Sequence, residues 1–209
     1  MPKDDRDAGR RLLDAGLTLL LEQGYYGVGV QAILDAAQAP KGSFYHHFAD
    51  KEDFALQVID DYMVGVHQAL DASQSDSTRP PLDRVRHFFE LVVSGYESEG
   101  YLGCLLGGLG QELSGASPVF AEKIDWCLAS IGGRLAATLE TARAEGTLPP
   151  DTDAAALASL LVNCWEGAAL RSRLVRSPEP LAQMLQFAFT AAVMCPPTVG
   201  SAEGRARTH

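Results

Sequence analysis

The 209-residue sequence predicts an all-α protein of about nine helices. Apolar residues return at three- and four-residue intervals along most of the chain, the period of a helix with one buried face. β-branched residues are sparse, and the strict alternation that marks a strand is hard to find. Glycine and proline punctuate the periodic stretches, with one glycine-rich segment near the middle.

Taken in order, the first helix is expected from about Asp5 to Gln23. Leu12, Leu13, Leu17, Leu20 and Leu21 form its inner stripe, and Gly24 provides a left-handed stop. A second, short helix carries Val30, Ile33, Leu34 and Ala37 on one face. Ala39-Pro40 breaks it. Proline has no N–H to lose at a first helical position, so Pro40 is expected to begin the third helix. There Phe44 and Phe48 share an inward face, while Gly42 and His46 point away, flanked by Ser43 and Tyr45. Asp50 is a natural N-cap for a fourth helix to about Ala72, with Asp53 giving a short-armed capping box. That helix runs out of the N-terminal unit through Phe54, Ile59, Tyr62 and Val66, so one rod belongs to both halves of the chain.

Ser73 to Pro81, polar and closed by two prolines, reads as a linker. Leu82 to Ser98 follows as an amphipathic helix with Val85, Phe88, Phe89, Val92 and Val93 inward. Gly100 to Gly115 holds six glycines in sixteen residues. Each weakens a helix by about 1 kcal/mol relative to alanine, so this segment must be held by something else or must need to move. Three further helices are expected. One runs from Pro118 to Glu145, one from an Asp151 or Asp153 cap to about Val175, and one from Ser177-Pro178 to near Met194. Residues 196–209 read as a disordered tail.

Composition narrows the function. No apolar run reaches the roughly 20 residues of a membrane span, and the charged N-terminus, with no apolar block and cleavage site after it, makes export unexpected. Cys104, Cys127, Cys164 and Cys195 stand far apart without zinc spacing, as expected for reduced thiols in the cytoplasm. Cys127 and Cys164 are assigned to the core or a pocket wall. No Ser-His-Asp order, HExxH or phosphate-cradling loop appears, so neither an enzyme, a metal nor a cofactor is expected. A Cys104–His87 nucleophilic pair is the enzyme alternative, and a protein-binding helical adaptor without DNA binding is another.

The residues from Gly24 to Phe54 carry the functional reading. A short helix whose outer face is glycine, hydroxyl, phenol and imidazole suits an approach to something polar and extended. The order Gly24-Tyr25, Val30, Ile33, Ala37, Lys41-Gly42, Phe44-Tyr45, His47-Phe48, Lys51-Glu52 resembles the DNA-binding segment of the TetR family of bacterial repressors. The resemblance implies a helix-turn-helix at about 30–49 within a DNA-binding domain of residues 1–52. It also implies a ligand-binding and dimerisation domain over 53–195, with a homodimer built on the last two helices. The DNA-facing set is then Gly29, Val30, Gln31, Lys41, Gly42, Ser43, Tyr45, His46 and Lys51. Lys41-Gly42 would enter the major groove, and Tyr45, His46 and Lys51 would hold phosphates. Gly29-Val30 departs from the family pattern, which has a threonine hydroxyl nearby that caps the helix and meets a phosphate. A net charge of −10 opposes DNA binding at long range, and residues 1–51 carry six basic against seven acidic side chains. Arg10, Lys41, Lys51 and the histidines would have to form local positive spots.

The stretch GCLLGGLGQEL around Cys104, with WEGAALRSRL from Trp165, resembles the NemR- and AcuR-like branch, which responds to acrylate and to reactive electrophiles. A sensing site of Cys104, Tyr96, Trp165, Glu166 and Arg171 is therefore expected, with Arg171 anchoring a small carboxylate. Cys104 stands at an expected helix start, which favours the reactive thiolate; the alternative is a small buried hydrophobe. The expected function is a dimeric repressor on a palindromic double-stranded operator, released by a small effector.

Overall fold

The computed structural model describes residues 3–192, and the regular elements of those residues are all helical. They are α1 (Lys3–Gly27), α2 (Val30–Ala36), α3 (Phe44–His47), α4 (Lys51–Ser75), α5 (Pro81–Ser98), α6 (Leu105–Leu113), α7 (Pro118–Ala144), α8 (Ala154–Val175) and α9 (Glu179–Gln186). A π-helical turn over Phe187–Ala192 continues α9. Cys195 and the expected tail lie outside the described residues.

Three rings close the N-terminal head. Phe44 and Phe48 lie 5.3 Å apart, and both meet Phe54 of α4, at 5.2 and 4.9 Å. Burying a phenylalanine contributes roughly 1.5–3 kcal/mol, so this cluster is a large share of so small a core. Gly16 lets α1 lie close, because a Cβ there would collide with the Phe54 ring. The turn after α2 is a Schellman arrangement. The Ala39 N–H donates to the Leu34 carbonyl (2.9 Å) and the Gln38 N–H to that of Asp35 (3.2 Å), with Gln38 left-handed at φ 50°.

The third helix is shorter than its sequence suggests. Residues 41–43 form a turn, with Ser43 N–H bonded to the Pro40 carbonyl at 2.9 Å, and only Phe44–His47 is α-helical. Phe48 is already extended, at φ −130° and ψ 136°, so only one α-helical turn closes before it. Gly24 leaves helical geometry at positive φ (φ 74°, ψ 176°), as expected of a stop, and a further helical turn follows it to Gly27.

Asp50 caps α4 as the spacing predicts, but Asp53 reaches past it to Ala49 instead of closing the box on the Asp50 amide. Asp50 Oδ1 accepts from Asp53 N–H, and Asp53 Oδ2 accepts from Ala49 N–H, both at 2.8 Å. The helix then runs to Ser75 rather than Ala72. Ser73, expected in a linker, is buried with its hydroxyl donating to the Leu70 carbonyl, and Asp76 makes the turn by accepting from Thr78 and Arg79. Ion pairs Asp61–Arg10, Asp60–Lys123 and Asp71–Arg134 fasten α4 to α1 on one side and to α7 on the other. The glycine-rich segment supplies α6, held through buried Leu105, Leu106, Leu109 and Leu113. Asp153, not Asp151, caps α8 by accepting from Ala156 N–H.

Candidate nucleic-acid interface and effector cavity

The outer side of the head is built from α2, its turn and α3. Gln31, Lys41, Gly42, Tyr45 and His46 are exposed there, while Phe44 beneath them is completely buried. Tyr45 is 67% exposed, although its ring rests edge-on against Phe44 at 5.3 Å. The phenol is thus oriented by the core while its hydroxyl faces outward. Gln31 Nε2 donates to Asp35 Oδ1 at 2.7 Å, which lays the amide along α2. Ser43, half-buried, donates its hydroxyl to the Pro40 carbonyl at 2.8 Å, leaving the oxygen's lone pairs as acceptors. Around Gly42 there is open space, and His46 stacks edge-on against His47 at 5.2 Å. Gly29 is the extended N-cap of α2 (φ −96°, ψ 156°) without a side-chain cap bond, and Val30 packs partly against the core.

Two basic residues expected on this surface are committed elsewhere. The Lys51 ammonium turns inward, donating to the Tyr25 carbonyl at 2.6 Å and lying 4.2 Å from the centre of the Tyr25 ring. Burial lowers its pKa, against the opposing charge of Glu112. Arg10 binds Asp14 and Asp61, and these carboxylates hold its pKa raised. An amphipathic cation close to a helix end finds carbonyls and carboxylates of its own chain first, and sequence spacing alone does not reveal that.

In the body, Tyr62 of α4, Phe88, Phe89 and Tyr96 of α5, Cys104, and Trp165 and Glu166 of α8 wall a cavity of about 30 Å³. Trp165 is buried, 4.9 Å from Phe89 and 5.8 Å from Tyr96 between ring centres. The structure therefore brings four of the five expected sensing residues together: Cys104, Tyr96, Trp165 and Glu166. Arg171 is not among them. It lies on the exposed face of α8, and Arg173, two positions on, faces the neighbouring cleft instead. Two residues turn a helix by roughly 200°, so these arginines take opposite sides.

The environment of Cys104 also differs from expectation. It is the N-cap of α6, as predicted, and the Gly107 amide there favours the thiolate. Burial and the Glu166 carboxylate outweigh that and push the thiol up to about 12. The Tyr62 hydroxyl lies 3.7 Å from its sulfur. Glu166 is itself raised by burial, and its carboxyl lies against Gly107, where a Cβ would collide with it. Burial likewise raises Tyr62 and Tyr96 well above the usual phenol range. At neutral pH the polar lining is thus protonated thiol and phenols beside the Glu166 carboxyl, whose ionisation burial opposes. His87 sits 3.6 Å from Glu90 of its own helix. Cys127 is core, and Cys164, exposed, is part of the wall of an outer groove between α8 and α9, so both stand within the core-or-pocket-wall expectation. A second, larger cleft of about 310 Å³ opens between the end of α1, α6 and α8, sharing Cys104 and Glu166 as its wall.

Among the described residues, no helix is long and apolar enough to cross a membrane. Residues 12–58 match the family described as bacterial regulatory proteins, tetR family, and residues 81–188 match the tetracyclin repressor-like C-terminal domain. The chain is similar to the transcriptional regulator AcuR of Cereibacter sphaeroides, with 41% identity across 83% of this chain and 80% of that one. Its fold is similar to the crystal structure of regulatory protein TetR from Rhodobacter sphaeroides, at TM-score 0.83 and 39% identity over 87% of this chain and 96% of that one. It is also similar to the reduced form of Escherichia coli NemR, at TM-score 0.80 and 28% identity over 92% and 100%. Head and body both match, and so the chain belongs to the TetR family and is a transcription regulator rather than an enzyme.

Proposed function

We propose that the chain is a dimeric repressor whose head, residues 1–52, reads a palindromic operator and whose body, residues 53–195, binds a small neutral effector that releases it. The observation that carries the DNA reading is the outer face of α2 and α3: Gln31, Lys41, Ser43, Tyr45 and His46 stand on a core of buried phenylalanines, with open backbone at Gly42. Gly29 and Val30 open α2 beside this face. Two such faces one helical turn apart, about 34–36 Å, would engage successive major grooves.

Dimerisation is supported by the outer surface of α8 and its successor. Leu160, Leu174 and Phe187 are more than half exposed, and an apolar groove of about 330 Å³ runs between Leu157, Leu161, Met184 and Phe187. Apolar surface of this kind belongs to an interface, and a two-fold partner supplies the same patch.

The cavity chemistry selects the effector. No lysine, arginine or histidine is among its lining residues, and its thiol and phenols can donate hydrogen bonds. A compact neutral molecule with a carbonyl acceptor fits this lining; a carboxylate has no cation to meet. About 30 Å³ holds roughly one water, so an effector must spread the walls to enter. That need ties occupancy to movement.

The test is binding of the full-length protein to DNA upstream of its own gene, followed by fluorescence anisotropy at physiological salt. Nanomolar binding that a neutral enone or acrylamide reverses, and acetate does not, is the expected result. Absence of sequence-specific binding would overturn the repressor reading.

A further inference from the structure

The head is joined to the body at a broken helix end. Gly24 leaves helical geometry, so the N–H groups of Tyr25 and Tyr26 and the carbonyl of Glu22 lose partners within α1. Each is met by a side chain from elsewhere. Glu112 of α6 accepts both amides, Tyr25 N–H and Tyr26 N–H, at 2.7 Å each. Arg173 of α8 donates to the Glu22 carbonyl at 3.3 Å and, through its other terminal nitrogen, to that of Leu102 at 3.2 Å. The approach is so close that a Cβ on Gly24 would stand 2.5 Å from Glu112 Oε2.

We propose that Glu112 and Arg173 are positioning residues for operator binding, fixing the head's place by capping the broken end of α1. This rests on the operator-binding reading above. Both caps sit on helices that wall the cavity. On α6, Cys104 at the N-cap touches the cavity and Glu112 lies about 12 Å further along the axis. On α8, Glu166 touches the cavity and Arg173 lies two turns on, on the same side. An occupant that displaces Cys104 or Glu166 therefore moves one cap or both. A carboxylate on two amides is a charge-assisted, geometrically strict contact, so a small shift of α6 breaks it rather than stretches it.

The experiment uses the full-length protein, its upstream DNA, and hydrogen exchange resolved at Tyr25 and Tyr26. If the unaltered protein does not bind, the operator reading fails and the exchange data alone judge the joint. Glu112→Ala is expected to speed exchange of those two amides at least tenfold and to weaken operator binding at least tenfold, with dimer and α7 protection unchanged. Glu112→Gln, which keeps one accepting oxygen, should recover part of both. Should Glu112→Ala fail to fold, Arg173→Met, which removes the donor to the Glu22 and Leu102 carbonyls, is expected to weaken operator binding at least tenfold with the dimer and α7 protection unchanged. Unchanged exchange, unchanged operator affinity, or loss of protection spread through α5 and α7 would each overturn the proposal.

Discussion

Head and body leave different chemistry in the open. On the head the exposed aromatics are phenols, Tyr26 and Tyr45, and the residues around Tyr45 carry amide, ammonium and imidazole groups. Along α8 and the π-helical turn the exposed large apolar side chains are Leu160, Leu170, Leu174, Val175 and Phe187, beside the exposed Arg171. The first surface keeps its polar tips available to a hydrated, charged partner. The second loses free energy in water and gains it against a like surface, at about 25 cal/mol per Å² buried. The interiors differ too. The head's core centres on three phenylalanines packed tilted and edge-on, whereas the body surrounds its aromatics with buried thiol, phenol and carboxyl groups.

The contrast in interiors makes the largest prediction. Phe44→Ala should cost about 3–5 kcal/mol, unfolding the head and abolishing DNA binding. Exchange protection on α7 and α8 should survive; if those helices melt with the head, the two cores are one. The exposed hydrocarbon surface comes next. Leu174→Glu with Phe187→Glu should each cost about 2 kcal/mol or more of association and yield a folded monomer in sedimentation. A dimer that persists would place the interface elsewhere. On the polar face, Tyr45→Ala should weaken operator binding by about 1–3 kcal/mol without altering the dimer.

The smallest effect concerns the cavity thiol. Folding raises Cys104 from 9.0 to about 12, so between these values the unfolded chain has lost the proton that the folded one keeps. The resulting stabilisation is complete below pH 9 and lost as pH rises through about 12, visible as a melting temperature that falls with pH. In a Cys164→Ser, Cys195→Ser background, maleimide should modify Cys104 slowly at pH 7. Glu166→Gln should speed that reaction by removing a charge that opposes the thiolate. Equal rates with and without Glu166 would discard this account of the thiol.

The sequence announced the helices with buried faces and its local caps well, because both are short-range properties. Leu12, Leu20, Phe44, Phe48 and Phe89 are buried where periodicity places them, and Asp50 caps where its spacing predicts. Contacts between distant segments were hidden. Glu112 and Tyr25 are 87 residues apart, and nothing local to either says that they meet. Arg171 and Arg173 look equivalent until the rotation of α8 is known. Lys51 and Arg10 read as free cations because a side chain's partner on another helix leaves no trace in spacing. For Cys104 the helix start was visible, but the carboxyl that opposes its ionisation comes from Glu166, 62 positions away, and only packing puts it there.

The kink at Gly24 bears on how such regulators can be recombined. A head transplanted from a relative at the linker-like turn, or anywhere within α4, would arrive without the carboxylate that its own broken helix was shaped to receive. Chimeras of this chain should therefore carry Glu112 and Arg173 together with Glu22–Tyr26, as one inherited seam.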